Sequence, residues 1–429
     1  MQYIQPLIPH LKLESNNSEL NHLRVEDQTA HSWYRFILSF PPHLVQDYLE
    51  KFGVDESQQV LDPFCGTGTT VVECKKRGVP SVGVEANPMA WFAGTVKLDW
   101  SVDPDELLRH AHQIAEATET ILDRADDPLQ TLSDDRFKLL LKNSISPLPL
   151  HKSLVLLEQI KQHSESPYYH HERLALAKAL VFSISNLHFG PEVGVSKAKT
   201  DAQVVDSWLE GIETIVHDLR HLKTLPDAPA IVHHADSRQL VHVLKPNSID
   251  IVITSPPYPN EKDYTRTTRL ESVILGFIND KAELRTLKKG LMRSNSRSVY
   301  AADDDDRWVA DHVEIQRIAN EIEAKRIELG KTSGFERMYA RATRLYFGGM
   351  ARHLADLRHI LRPGAQLAYV VGDQASYLRV MIRTGTLLAD IAKSLGYEVV
   401  SIDLFRTRSA TATKEQLREE VVVLRWSGH

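Results

Sequence analysis

Apolar and polar positions recur along the chain with two periods, and the places where the period changes outline its organisation. Residues 42–52 carry Leu44, Val45, Tyr48 and Leu49 at helical spacing, and Gln59-Val60-Leu61 then reads as a short buried strand. A glycine-rich loop follows, Asp62-Pro63-Phe64-Cys65-Gly66-Thr67-Gly68-Thr69-Thr70. Helix resumes over 71–77 until Gly78 stops it, and 81–84 forms a second strand ending at Glu85. Strand, loop, helix and strand make one βαβ unit. A mostly helical pattern then occupies 103–225. Strands return at 230–232 and at 249–254, the latter a β-branched run suited to a central parallel strand. A charged stretch over 262–333 interrupts again. The final block predicts an amphipathic helix over 347–361 closed by Arg362-Pro363-Gly364, a strand over 366–371 and a helix over 384–395. Two more strands, 397–404 and 420–426, flank a polar loop. The expected class is α/β, a Rossmann-like parallel sheet with helical insertions.

Composition narrows the picture. The 429 residues are 42% hydrophobic and 25% charged, ordinary globular usage with ample length for a core. The formal net charge of -6 means that any contact with nucleic-acid phosphates must come from local patches. The two cysteines, Cys65 and Cys74, exclude a disulfide framework or a four-thiolate zinc site. His170-His171 and His233-His234 lack metal-ligand spacing, so no metal site is expected. The first seventeen residues do not read as a signal peptide and no apolar run reaches membrane-spanning length, so a cytoplasmic setting without membrane contact is the expectation. The acidic run from Asp303 to Asp306 reads as a solvated loop.

Candidate chemistry concentrates at strand ends. Gly66 and Gly68 allow a tight turn and close approach of backbone to a ligand. The loop lacks the lysine of a phosphate-cradling P-loop and does not match the three-glycine dinucleotide pattern. Asp62, directly after the strand, suits a ligand with positive charge, such as a sulfonium or an ammonium. Glu85 is placed to accept hydrogen bonds from ribose hydroxyls, and Asp236 to reach an adenine amino group. The plainer alternative is that Asp62 and Gly66 build a turn and Glu85 caps a helix near Pro88. Three acids at successive strand ends favour the ligand, because open α/β sheets bind at the carboxyl ends of their strands.

The run Ile251-Val252-Ile253-Thr254-Ser255-Pro256-Pro257-Tyr258 is the most informative. Two prolines after a buried strand fix φ twice and remove two amide donors. The Ser255 side-chain oxygen and the Pro256 carbonyl are left as acceptors beside the flat Tyr258 ring. That combination suits a planar base bearing an amino group; a rigid turn with a core tyrosine is the plainer alternative.

The 62–70 loop and Thr254-Ser255-Pro256-Pro257-Tyr258 together resemble the cofactor and catalytic motifs of the DNA amino-methyltransferases, with Ser-Pro-Pro-Tyr the variant typical of N4-cytosine enzymes. Residues 35–44, with Phe40-Pro41-Pro42, resemble the segment that closes over the methionine moiety. The resemblance implies a seven-stranded methyltransferase sheet whose last two strands form an antiparallel edge. It implies S-adenosyl-L-methionine as cofactor, held by Phe40, Pro41, Asp62, Phe64, Cys65, Gly66, Thr67, Gly68, Thr69, Glu85 and Asp236. Ser255, Pro256, Pro257 and Tyr258 become catalytic, acting on a base extruded from double-stranded DNA. A restriction-modification or phage-defence setting follows, with a cognate restriction endonuclease as a further partner. N6-adenine methylation is the near alternative, and RNA N2-guanine methylation or a non-catalytic binding protein the more distant ones.

The implied organisation is a methyltransferase domain in three pieces, 1–100, 229–261 and 335–429. A helical insertion over 101–228 is a candidate for target recognition, and a charged one over 262–334 for DNA contact. In the charged insertion Lys262, Arg266, Arg269, Lys288, Lys289 and Arg293 are the candidate phosphate ligands, with Lys197 and Lys199 a second group.

Overall fold

The computed structural model describes residues 23–35, 39–124, 128–189, 193–260, 262–409 and 416–428. The N-terminal residues read above for a signal peptide and part of the 35–44 segment lie outside this set. The strands are β1 (Val60–Asp62), β2 (Ser81–Glu85), β3 (Leu187–Phe189), β4 (Val193–Val195), β5 (Ala230–His234), β6 (Ile249–Thr254), β7 (Leu361–Gly372), β8 (Glu398–Ser409) and β9 (Gln416–Arg425). Seven form one sheet in the order β5-β2-β1-β6-β7-β9-β8, while β3 and β4 make a separate two-stranded hairpin. The four pairings from β5 to β7 are parallel, and β9 runs antiparallel to both β7 and β8. The expected seven-stranded methyltransferase sheet is therefore present. Its antiparallel pair does sit at the edge, with the last strand on the inside.

Burial explains the order. The strands β1 and β6 are the most continuously buried, and they lie side by side at the middle of the sheet. The sides of β7 alternate with period two: Leu367, Tyr369 and Val371 face one cluster, Ala368 and Val370 the other. The second cluster is closed by the helix Pro42–Lys51 through Leu44, Val45, Tyr48 and Leu49. Between β2 and β5 the helices Pro104–Leu122, Pro147–Gln162, Tyr169–Ala179 and Val204–Leu222 share one buried cluster with Val72, Met89 and Phe92. Residues 270–278 of the charged stretch join that cluster, whereas Met292, Val309 and Ile315 join the one beneath β7. The charged stretch therefore straddles the carboxyl edge of the sheet.

Two boundaries differ from expectation. The helix expected over 347–361 spans Tyr339–Leu357, because its buried stripe extends back through Ala340, Ala342 and Thr343. Arg362-Pro363-Gly364 consequently lies inside β7, opposite a register shift between Ile249 and Ile251. Strands β8 and β9 run well beyond the expected 397–404 and 420–426. Their paired ends carry Arg406, Arg408 and Glu419, read earlier as loop. Among the described residues no helix is long and apolar enough to cross a membrane.

Candidate active site

At the centre of the sheet β2 and β6 flank β1 on opposite sides, which is the switch point where open α/β sheets bind ligands. The ends of β1 and β6 are stitched together there. The Thr254 hydroxyl donates to Asp62 Oδ1 at 2.6 Å, and the Thr70 hydroxyl donates to the Ile253 carbonyl at 3.1 Å. A cavity of about 590 Å³ opens above the seam, within the usual size of small-molecule sites. Phe64, Cys65, Gly66 and Thr69 of the glycine loop border it, as do Glu85 and all four residues from Ser255 to Tyr258. Both motifs thus face one space.

The loop is shaped for a ligand more than for packing. Gly66 and Gly68 have φ of 54° and 90°, and a Cβ on Gly66 would meet no protein atom within 4 Å. Gly68 caps the helix Thr69–Lys76. Buried Lys97 donates to the Thr67 carbonyl at 3.0 Å, holding the loop from behind, and burial pushes its ammonium down to about 7. Cys65 is buried, which pushes its thiol up.

Asp62 and Glu85 play different parts. Asp62 is fully buried and does not border the cavity; it accepts from the Phe64 amide at 3.1 Å and from Thr254. Burial pushes its carboxyl up to about 6. Its Oδ2 has no hydrogen-bond partner among the described residues, an available acceptor beneath the loop. Glu85 does face the cavity. Its oxygens accept from the Gly66 and Asn87 amides at 2.8 and 2.7 Å, and burial pushes it up to about 7. The helix Pro88–Lys97 is capped by Asn87, whose side chain accepts from the Met89 amide, so Glu85 is not its cap. Asp236, expected at an adenine amino group, instead clamps Arg238 with both oxygens at 2.6 to 3.2 Å. Its neighbours Ala235 and Ser237 border the cavity in its place.

Of the 35–44 segment, Ser39 and Phe40 reach the cavity, while Pro41 sits at the start of Pro42–Lys51. The chain before it is pinned by His31 to Glu73 at 2.8 Å and by the Trp33 indole to Asp218 at 2.8 Å. A partly apolar space bordered by a glycine turn and a carboxylate fits an adenosine-type ligand carrying a positive centre. Of the residues expected to hold a cofactor, Phe40, Phe64, Cys65, Gly66, Thr69 and Glu85 are the ones that border the cavity.

In the 254–258 segment, the Tyr258 hydroxyl lies against that of Ser255, and burial together with nearby Glu419 pushes its pKa up. The Tyr258 amide, which the prolines leave as the first free donor, is taken by the Tyr264 hydroxyl at 3.2 Å. Gly372, at the end of β7, makes room for the ring: a Cβ there would lie 2.9 Å from Tyr258 Cε2.

The cations expected on DNA divide into two groups. Arg293 is buried, held by Asp303 at 2.9 Å and by the Lys288, Lys289 and Leu291 carbonyls. Lys288 pairs with Asp263 at 2.7 Å, and Arg269 bonds Thr265. These face inward because Arg293 finds Asp303, Lys288 finds Asp263 and Arg269 finds the Thr265 carbonyl and hydroxyl. Asp305 is buried between Arg238 at 2.6 Å and Arg352 at 3.1 Å, so the acidic run is an internal anchor with only Asp304 and Asp306 at its surface side. Lys262 borders the cavity and Arg266 is half-buried. Lys289, Lys197 and Lys199 are exposed, the last with its ammonium on the Ser183 carbonyl. Sequence reasoning missed Asn260, Ser294, Asn295, Gln374 and Arg408, all of which border the cavity. The alternation Arg406-Thr407-Arg408 was the one signal available, one face of a strand that extends further than expected.

The DNA methylase family model for N6 and N4 enzymes matches residues 10–91. The type II methyltransferase M.BsoBI of Geobacillus stearothermophilus is 26% identical over 470 aligned positions, covering 98% of this chain and 91% of that protein. The type II methyltransferase M.AvaI of Nostoc sp. (strain PCC 7120) is 22% identical over 415 positions, covering 91% and 83%. Among solved structures, TrmN from Thermus thermophilus aligns with a TM-score of 0.28 and 11% identity over 90% of this chain and 48% of that one. Two strand-end motifs thus border a single cavity in a chain that is similar to N6/N4 DNA methylases over residues 10–91 and distantly similar to type II methyltransferases along most of its length.

Proposed function

We infer that this protein is a site-specific DNA methyltransferase, the modification enzyme of a type II restriction-modification system, and that its target is the exocyclic N4 of cytosine. The observation that carries the reading is the shared cavity: the 64–69 loop and Ser255–Tyr258 border one space of about 590 Å³. Serine at position 255 favours cytosine over adenine, and the type II names of the two relatives favour the restriction-modification setting.

S-adenosylmethionine, when bound, supplies a methyl group on a positively charged sulfur. The protein supplies orientation and acceptors. An exocyclic amino nitrogen is a poor nucleophile because its lone pair is delocalised into the ring. The Ser255 oxygen and the Pro256 carbonyl accept its hydrogens, which favours a pyramidal nitrogen with a localised lone pair. Tyr258, seated on Gly372, offers its ring to the extruded base. The remaining rate enhancement is proximity and alignment between two rigid strand ends. The test is mass spectrometry of nucleosides from DNA incubated with protein and cofactor. N4-methylcytosine is expected; methyladenine without methylcytosine overturns the base assignment, and no methylated base overturns the function.

A further inference from the structure

Two carboxamides border the cavity that neither motif contains. Asn260 lies two residues after Tyr258 and Gln374 two residues after Gly372, on which the Tyr258 ring is seated. They are 5% and 4% exposed. Each is fixed by its backbone and by one half of its amide. The Asn260 amide nitrogen donates to the Ser294 carbonyl at 2.9 Å, and its Oδ1 accepts from the Lys262 amide at 2.9 Å. Gln374 exchanges backbone bonds with Ile382 at 3.1 and 2.7 Å, and its Nε2 donates to the Gly372 carbonyl at 3.3 Å. The Tyr377 hydroxyl, 3.1 Å from the Asn260 carbonyl and 3.0 Å from that of Ser294, ties the two segments together.

The other halves are unused. Among the described residues no hydrogen bond engages Asn260 Nδ2 or Gln374 Oε1, and neither atom is sealed from the cavity that its residue borders. A buried carboxamide with an unmet donor or acceptor costs stability unless a ligand satisfies it. Nothing in cofactor binding calls for these two, because they flank the tyrosine and lie away from the glycine loop in the chain.

Resting on the function inferred above, we propose that the free Asn260 Nδ2 donor reads the hydrogen-bonding edge of the extruded base beside its amino group, with Gln374 Oε1 a further acceptor for that group. Cytosine presents two adjacent acceptors there, N3 and O2, whereas adenine presents N1 and then a carbon-bound hydrogen. The free Asn260 donor therefore separates the two bases, meeting an acceptor on cytosine and a carbon-bound hydrogen on adenine. A side chain matched in shape but lacking the donor leaves acceptor facing acceptor.

Sequencing of DNA modified by the wild-type protein supplies the recognition site, and a duplex containing it is compared with one that is abasic at the target position. Asn260→Asp keeps the shape and removes the free donor, and it is expected to lower kcat/KM on the intact duplex roughly tenfold to a hundredfold. Affinity for the abasic duplex, and for S-adenosylhomocysteine, is expected to stay within about twofold. Equal losses on intact and abasic duplexes would mean a merely structural role, and unchanged kcat/KM would mean no role; either overturns the proposal. Wild-type protein that methylates no cytosine refutes the inferred function instead, before any variant is made.

Discussion

The seam between β1 and β6 and the charged stretch over 262–309 border the same cavity, yet they are built by opposite rules. At the seam, neighbours in sequence do the shaping: two glycines with positive φ, two prolines, and hydroxyls that reach across one strand spacing. In the charged stretch, position is set by ion pairs between residues far apart, Arg238 with Asp305 and Lys288 with Asp263. Backbone-encoded geometry marks a site where it occurs in sequence. Charge does not, because a guanidinium becomes an anchor or a docking group according to a partner many residues away.

The largest effect expected from that contrast is on stability. Arg238→Ala removes the counter-charge of half-buried Asp236 and one of the two partners of buried Asp305. Breaking a buried pair from one side costs about 3 kcal/mol or more. Arg285→Ala removes an exposed cation whose described contact is the face of Tyr300 at 5.6 Å, and should cost less than about 0.5 kcal/mol. Urea unfolding of both variants makes the comparison. Equal midpoint shifts would abolish the distinction between anchoring and surface cations.

Next comes a split between activity and cofactor binding at the seam. Tyr258→Ala removes the stacking ring and should lower kcat/KM on DNA roughly a hundredfold. Affinity for S-adenosylhomocysteine should hold within about threefold, since the ring is seated on Gly372 and not on the glycine loop. Asp62 separates differently. Asp62→Asn keeps an acceptor for Thr254 and should be mild, whereas Asp62→Ala orphans the Phe64 amide and the Thr254 hydroxyl, at about 1–3 kcal/mol for each buried group. Calorimetric titration and thermal unfolding of the three variants separate these roles, and cofactor affinity lost in Tyr258→Ala would merge them.

These cases also show why part of the molecule was legible in sequence. The parallel strands announced themselves through Ile251-Val252-Ile253, and the loop through glycines that no helix or strand would tolerate. Phe64, Glu85 and Ser255 to Tyr258 could be placed because strand ends converge at a switch point. Asp236 could not be, because its orientation depends on Arg238, whose other carboxylate partner lies 67 residues further on. Asn260 and Gln374 carry no local signature; only the packing of Tyr377 and Gly372 brings them to the cavity. The extent of β8 and β9 was hidden because their polar ends pair with each other through Arg406 and Glu419, which removes the apolar alternation.

A milder effect follows from Glu85, whose carboxyl is pushed up to about 7 by burial. A cofactor with a positive centre and ribose hydroxyls favours the ionised form, so binding should release a proton wherever the free site holds one. Affinity is therefore fully developed above about pH 7 and falls as pH drops through that value, by up to about tenfold per unit. Glu85→Gln should flatten the profile between pH 6 and 8. A wild-type affinity independent of pH over this window would mean that the carboxylate stays outside the bound ligand's reach.

The smallest effect concerns the cations left over once the anchors are removed from the count. Lys289 is exposed and immediately precedes Gly290, which borders the cavity; its ammonium lies 6.0 Å from the Tyr300 ring centre while its carbonyl is held by Arg293 at 3.0 Å. If it contacts a phosphate of the proposed DNA substrate, Lys289→Ala should reduce the slope of log affinity against log salt by about one and weaken binding alike on all sequences. Lys288→Ala removes the partner of Asp263 and should disturb folding more than the salt slope. The two neighbours differ by one position and by nothing that composition records. A slope that changes for Lys288 and not for Lys289 would reverse which of them faces the nucleic acid, and with it the rule that separates the two walls of the cavity.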